Sequence, residues 1–335
     1  MRAFSVDMKV RPRASACVPI RAAGYLTDVH QRVLVFDGAV GTSIQQHALT
    51  AADFGGRGLE GCNDHLVLTR PDLIQGIHES FLAVGCDVVE TCTFQSTPRR
   101  LTEWGLGDKV REINVAAARL ARAACDGFAS ATHPRYVAGS IGPTGMLPSG
   151  NDPVLSNVTF DELARDYYVQ ASHLIEGGVD LLLLETAQDI LEVKAAVAGF
   201  ERLFEELGTR VPVQVQVTLD TNGRMLLGTD IASAMTTLEA LPVDVLGLNC
   251  STGPEHMREP VRYLLEHATR PIAVIALATR GRRRTARSIG AAPPTACTTA
   301  ARCSGVVPQQ PPTTDTPSRV TNSSCAAARS SGDSS

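Results

Sequence analysis

The sequence predicts a (βα)8 (TIM) barrel that is incomplete, with seven recognisable strands and the eighth unit missing. Three observations lead there. Between residues 32 and 276, short apolar runs alternate with longer segments of helical period, the pattern of repeated βα units on a parallel sheet. Leu181-Leu182-Leu183-Leu184 runs without a polar interruption, as strands covered by helices on both faces do. No glycine-rich dinucleotide fingerprint follows the first apolar run, which argues against an open doubly wound sheet.

Taken in chain order, the first strand is the apolar run 33–36. Thr69 is placed to cap a helix with Pro71 and Asp72 in its first turn. Leu73, Ile74, Ile77, Phe81 and Leu82 form its apolar stripe, and Gly85 closes it. Strand 87–90 follows, then a helix over 108–125 and strand 136–140. The helix over 161–176 turns Leu163, Tyr167, Leu174 and Ile175 inward and stops at Gly177-Gly178, just before strand 179–185. Helices over 188–207, 230–241 and 254–267 alternate with strands 211–218, 243–250 and 271–276. Beyond that point neither a strand pattern nor a helical one is found.

Composition bounds the function classes. The chain has 335 residues, 44% apolar and 20% charged, with a formal net charge of -4, enough for one large domain or two medium ones. No stretch approaches the roughly 18 apolar residues of a membrane span, and Lys and Arg are not in excess, so neither a membrane nor a nucleic acid is an expected partner. Nine cysteines at irregular spacing, with no apolar signal core near Met1, predict a reducing, cytoplasmic compartment. Charge is unevenly spread. Residues 277–335 hold eight arginines and two aspartates, +6, which leaves -10 on the first 276 residues. With no Lys, Glu, Phe, Tyr or Trp and one Leu, that segment cannot offset its chain entropy by burial. The expected organisation is a weakly structured extension at 1–29, the barrel at 30–276, and a disordered Arg/Ala/Ser/Thr/Pro-rich tail at 277–335.

In barrels of this kind chemistry sits where strands end. The first strand ends in Asp37-Gly38-Ala39-Val40-Gly41-Thr42, the second in Glu90-Thr91-Cys92-Thr93-Phe94, the third in Ser140-Ile141-Gly142-Pro143. The fourth ends in Glu185-Thr186 and the sixth in Asn249-Cys250-Ser251-Thr252. Three carboxylates, a thiol and several hydroxyls therefore converge on one rim. Gly38 and Gly41 are expected to allow close approach of the backbone or positive φ.

With these motifs the chain resembles the homocysteine S-methyltransferase family, and within it the homocysteine-binding module of the cobalamin-dependent methionine synthases. Gly61-Cys62-Asn63-Asp64, Thr69-Arg70-Pro71-Asp72, Glu185-Thr186-Ala187-Gln188-Asp189, Met225-Leu226-Leu227-Gly228-Thr229-Asp230 and Gly247-Leu248-Asn249-Cys250 continue the likeness in order, over about residues 32–276. The resemblance implies methyl transfer to the thiol of homocysteine, held as a thiolate by Zn2+. The methyl donor would be methylcobalamin or methyltetrahydrofolate, carried by separate cobalamin- or folate-binding modules. Asp37 and Glu185 would hold the substrate ammonium, with Gly38, Thr93, Phe94 and Ser140 lining the pocket. Cys250 matches the first of three zinc-binding cysteines. The other two, an adjacent pair in Gly-Gly-Cys-Cys-Gly, have no counterpart, and Cys92 replaces a common asparagine. The expectation is a homocysteine methyltransferase domain impaired by that loss. The alternative is an inactive, truncated or frameshifted remnant that at most binds an amino-acid ligand. No catalytic residue is assigned.

Overall fold

The computed structural model describes residues 21–276 and a short strand at 297–299. Seven strands pair in chain order, all parallel: β1 (Val88–Glu90), β2 (Tyr136–Ile141), β3 (Leu181–Ala187), β4 (Val213–Val217), β5 (Val245–Asn249), β6 (Ile272–Ile275) and β7 (Cys297–Thr299). Ten α-helices precede or join them: α1 (Arg21–Gln31), α2 (Val40–Ile44), α3 (Leu66–Thr69), α4 (Pro71–Ala83), α5 (Pro98–Glu103), α6 (Val110–Phe128), α7 (Phe160–Gly177), α8 (Ile190–Leu207), α9 (Ile231–Glu239) and α10 (Pro254–His267). This is an incomplete βα barrel, as the alternation predicted.

Period-two alternation divides the apolar residues between two cores. Leu182 and Leu184, with Val213, Val215 and Val217, pack outward against helical residues such as Tyr167, Leu174 and Phe200. Leu181 and Leu183, with Val88, Ala138, Val245 and Ala273, face inward and form a second, separate core. Both faces of β3 are therefore buried, which is why its leucines run uninterrupted.

Helix boundaries follow local chemistry. Thr159 and Glu162 close a capping box on α7, and Gly178, at φ 98°, ends it with its N–H on Leu174 and Ile175. Asp189 caps α8 and Asp230 caps α9 through their side chains. Thr69 does not cap α4. It is the last residue of α3, and Arg70 stands before Pro71 without a side-chain cap.

Three sequence expectations change. Residues 21–31, of which 21–29 are expected in the weakly structured extension, are helix α1, which plugs the N-terminal end of the barrel. Its Tyr25 and Val29 are wholly buried among the inward-facing residues, and the Tyr25 hydroxyl donates to Gln214 Oε1 at 2.6 Å. A short helix with few apolar positions is easily passed over in sequence, and its anchoring is aromatic and ionic. Tyr25 meets Tyr136 edge-on at 5.6 Å, Tyr136 donates to Asp28, and Arg32 bridges Asp28 and Asp87. Second, the run 33–36 contributes a single bridge, Phe36 to Val88. The Asp87 carboxylate takes the Val35 N–H at 2.8 Å, a bond a ladder partner would otherwise make. Third, Cys297–Thr299 pairs with β6 in the place where no eighth unit was expected, Ile272 opposite Cys297 and Val274 opposite Thr299. Three residues are too few to show a period, and an open strand edge recruits main chain whatever its side chains. The rest of the predicted tail and residues 1–20 lie outside the described residues. Among the described residues no helix is long and apolar enough to cross a membrane.

Candidate functional site

The C-terminal ends of the strands carry a continuous polar network. At its centre is Glu185, near the end of β3 and on the inner face. Ser140 Oγ, from β2, donates to Glu185 Oε1 at 2.6 Å, and Asn249 Nδ2, from β5, donates to Glu185 Oε2 at 2.9 Å. Asn249 also clamps Thr186, accepting from its N–H at 2.7 Å and donating to its hydroxyl at 2.9 Å. Thr186 sits at φ 57°, and Cys250 and Ser251 at 56° and 59°. A β-branched residue in the left-handed region is strained, and such strain is held where surrounding bonds over-determine it.

A second group lies across the mouth. Asp37 follows the first extended run, and its N–H bonds to Val88 O at 2.9 Å. Its Oδ2 accepts the Glu90 N–H at 3.1 Å, while its Oδ1 is buried without a partner. Glu90 ends β1 on the inner face, two residues beyond inward-facing Val88, and its Oε1 is likewise buried and unpartnered. Burial raises all three carboxylates above the usual range. For Asp37 the Glu185 charge adds to burial, against the Glu90 N–H; for Glu90 both Glu185 and Asp37 add. Glu185 is pushed up to about 7 by burial, with the Ser140 hydroxyl pulling the other way. The mouth is therefore an acidic cluster in which burial and mutual repulsion favour the protonated carboxyls.

The remaining predicted residues form the wall. The Thr93 hydroxyl donates to Ser140 O at 2.7 Å and pairs with Thr91 Oγ1, so its polar atom is used in joining β1 to β2. Phe94 packs on Gly142, whose N–H bonds to Phe94 O at 2.9 Å; a Cβ at Gly142 would stand 2.5 Å from that oxygen. Gly38 serves close approach, since its Cβ would lie 2.9 Å from the Phe81 ring, and neither Gly38 nor Gly41 has positive φ. Asp64, in the loop below, fixes the turn after β1 by accepting from Gln95 N and Ser96 Oγ at 2.8 and 2.9 Å; burial lifts its pKa to about 6.

Sequence reasoning passed over Asn249 and Thr186 as site builders. Their signal was adjacency, one beside Cys250 and the other beside Glu185, at strand ends. Cys250 receives Asn249 Nδ2 at 3.4 Å, and its thiol is pushed up by burial and then by the Glu185 charge. Around Cys250, as elsewhere among the described residues, no three His, Cys, Asp or Glu side chains converge to hold a metal. The described side chains thus do not fit a three-thiolate zinc site.

Comparison with known proteins adds to this geometry. A family model described as homocysteine S-methyltransferase matches residues 34–307, continuing past residue 276, where the resemblance read from the motifs ended. The methionine synthase of Mycobacterium leprae is 42% identical over 251 residues, 75% of this chain and 20% of that protein. That of Mycobacterium tuberculosis is 42% identical over 246 residues, 73% and 20%. The chain spans about a fifth of the length of these curated relatives. Among solved structures, the metallated homocysteine methyltransferase MmuM of Escherichia coli is similar at a TM-score of 0.61 and 22% identity, covering 73% of this chain and 83% of that one. Its apo form is similar at 0.56 and 20%. At such identity the likeness is one of fold.

Proposed function

Because the chain belongs to the homocysteine S-methyltransferase family, we propose that its barrel mouth binds homocysteine and presents the thiol for methylation to methionine. The observation that carries this reading is the set of buried carboxylates with unfilled oxygens, Asp37 Oδ1 and Glu90 Oε1, beside Glu185. Buried carboxylates are costly until a counter-charge arrives. An α-ammonium group supplies one positive charge and three N–H donors, and it needs acceptors held on rigid strand ends. Gly38, Phe94, Thr93 and Ser140 would shape the surrounding wall, and the amino acid would point its thiol toward Cys250.

Zinc-held thiolate chemistry is what the family supplies at this position, with Cys250 as one ligand. The described residues furnish a single thiol there, so no step is routed through the metal. A methylcobalamin or methyltetrahydrofolate donor, and the modules that would present it, belong to the proposal as partners. In a second reading, which starts from the single thiol that the described residues place there, the chain holds the amino acid without transferring methyl groups. Calorimetric titration of the full chain with L-homocysteine, with zinc determined on the same sample, tests both. Saturable binding that Asp37→Asn abolishes supports the site. About one zinc per chain with methyl transfer supports the enzyme. Binding by a zinc-free protein supports the second reading, and absence of homocysteine binding refutes both.

A further inference from the structure

Helix α4 carries a titratable group that the mouth does not use. Ile74, His78, Phe81 and Leu82 share one face of the helix by their spacing, and all four are buried. His78 is wholly buried, and neither of its ring nitrogens has a hydrogen-bond partner among the described residues. A neutral imidazole has one N–H to donate and one lone pair to accept with, and a core that leaves both unused is uncommon. It persists because the apolar residues on the same face carry the helix into the core. An imidazolium could not be carried in the same way, since a buried charge without a partner costs far more than an unpaired neutral group. Burial pushes the His78 pKa down from 6.5 to about 4.

The groups packed about α4 offer no counter-charge. Of the elements it meets, α2 and α3 hold no titratable side chain, and β1 brings Glu90 to the inner face of the barrel. Helix α6 turns Cys125 to the core and keeps its charged residues exposed or half-exposed. On α4 itself Asp72 is exposed and pairs with Arg70, and Glu79 accepts from Gln75. The helix also braces the mouth. Phe81, one turn beyond His78, lies so close to Gly38 that a Cβ there would stand 2.9 Å from its ring. Gly38 follows Asp37 and leads into α2, which itself packs on α4. The seating of α4 therefore fixes the segment 37–44.

We propose that His78 makes α4 an acid-released brace: a ring nitrogen takes up a solvent proton only when the helix shifts to let it reach water, and that shift frees Phe81 from Gly38 and loosens segment 37–44. The folded chain favours the neutral histidine, so its contribution to stability is complete above about pH 6.5 and is lost as pH falls toward about 4. Asp37 and Glu90 act in the opposite sense, because burial favours their protonated forms, so loosening in acid does not come from them.

Hydrogen–deuterium exchange of the full chain at pH 7 and pH 5, corrected for the intrinsic pH dependence of exchange, tests this with α8 as the internal reference. From the two pKa values of His78, segments 71–83 and 37–44 open about 20-fold more at pH 5 than at pH 7, while α8 changes less than about threefold. His78→Leu and His78→Gln cannot titrate, and either one, shown by a thermal melt at pH 7 to be folded, brings the change in both segments below about threefold. The proposal is overturned if the parent's two segments open no more at pH 5 than at pH 7, if α8 opens to the same extent, or if a folded variant keeps the parent's response. A His78 signal in the histidine NMR spectrum of the parent that is charged at pH 6 overturns it as well.

Discussion

Replacing Glu185 by glutamine tests whether the empty mouth carries an electrostatic cost. Glu185 is 7% exposed, and burial raises its pKa from 4.5 to about 7. A carboxylate whose pKa is higher in the folded chain binds protons more tightly there than when unfolded. Its favourable contribution is therefore complete below the unfolded pKa near 4.5 and is lost as pH rises through about 7. The full difference is on the order of 3 kcal/mol, reached by about pH 8.5. Glutamine is nearly isosteric and can keep both bonds, its carbonyl accepting from Asn249 Nδ2 and its amide donating to Ser140 Oγ. Removing the charge also eases ionisation of Asp37 and Glu90, whose pKa values Glu185 helps to raise. The variant should match the parent within about 1 kcal/mol at pH 5 and exceed it by about 3 kcal/mol at pH 8.5. Urea denaturation followed by the fluorescence of Trp104, the single tryptophan, packed against the main core, reads this directly. A stability difference that stays flat between pH 5 and 8.5 would refute the reasoning.

Other expectations follow from the same structure. Homocysteine affinity should rise from pH 6 to pH 8, because an ammonium is held by ionised carboxylates and the empty site keeps protons; calorimetry in buffers of different ionisation enthalpy should show net proton release, and affinity falling with pH would contradict it. Tyr25→Phe removes the 2.6 Å bond to Gln214, whose Nε2 already lacks a partner, and should cost about 1–2 kcal/mol; an unchanged denaturation midpoint would mean that α1 is not anchored through this hydroxyl. Gly247→Ala places a Cβ 1.9 Å from Ala273 O across the β5–β6 pair and should cost more than about 3 kcal/mol, whereas Gly76→Ala in α4 meets nothing within 4 Å and should be neutral or stabilising; equal melting temperatures for the two variants would be the contrary result.

The βα alternation was legible because it depends on periodicity, which burial imposes on every strand and helix alike. The uninterrupted leucines of β3 and the stop at Gly178 needed no tertiary information. What escaped was structure made by particular bonds. Helix α1 has few apolar positions, and Tyr25, Asp28 and Arg32 anchor it to Gln214, Tyr136 and Asp87, residues 55 to 189 positions away in sequence. The first strand is reduced to a bridge, and Asp87 takes the Val35 N–H there from 52 residues away. Neither event has a local signature, since each partner is ordinary in its own window.

The site shows the same division at finer scale. Strand-end position brings Asp37, Glu90, Ser140, Glu185 and Cys250 to one rim, and Glu90 and Glu185 are each followed by a threonine. Their threonines part company in the fold. The Thr91 hydroxyl accepts the Ser140 N–H at 3.0 Å and pairs with Thr93, stitching β1 to β2 and leaving the Glu90 carboxylate out of that network. Thr186 takes positive φ and is clamped by Asn249, which at the same time occupies Glu185. Two glutamates, each followed by threonine, thus differ in whether a buried oxygen is left without a hydrogen bond. That property is set by Asn249, 64 residues from Glu185, so it can be read only once β3 and β5 are placed on either side of β4.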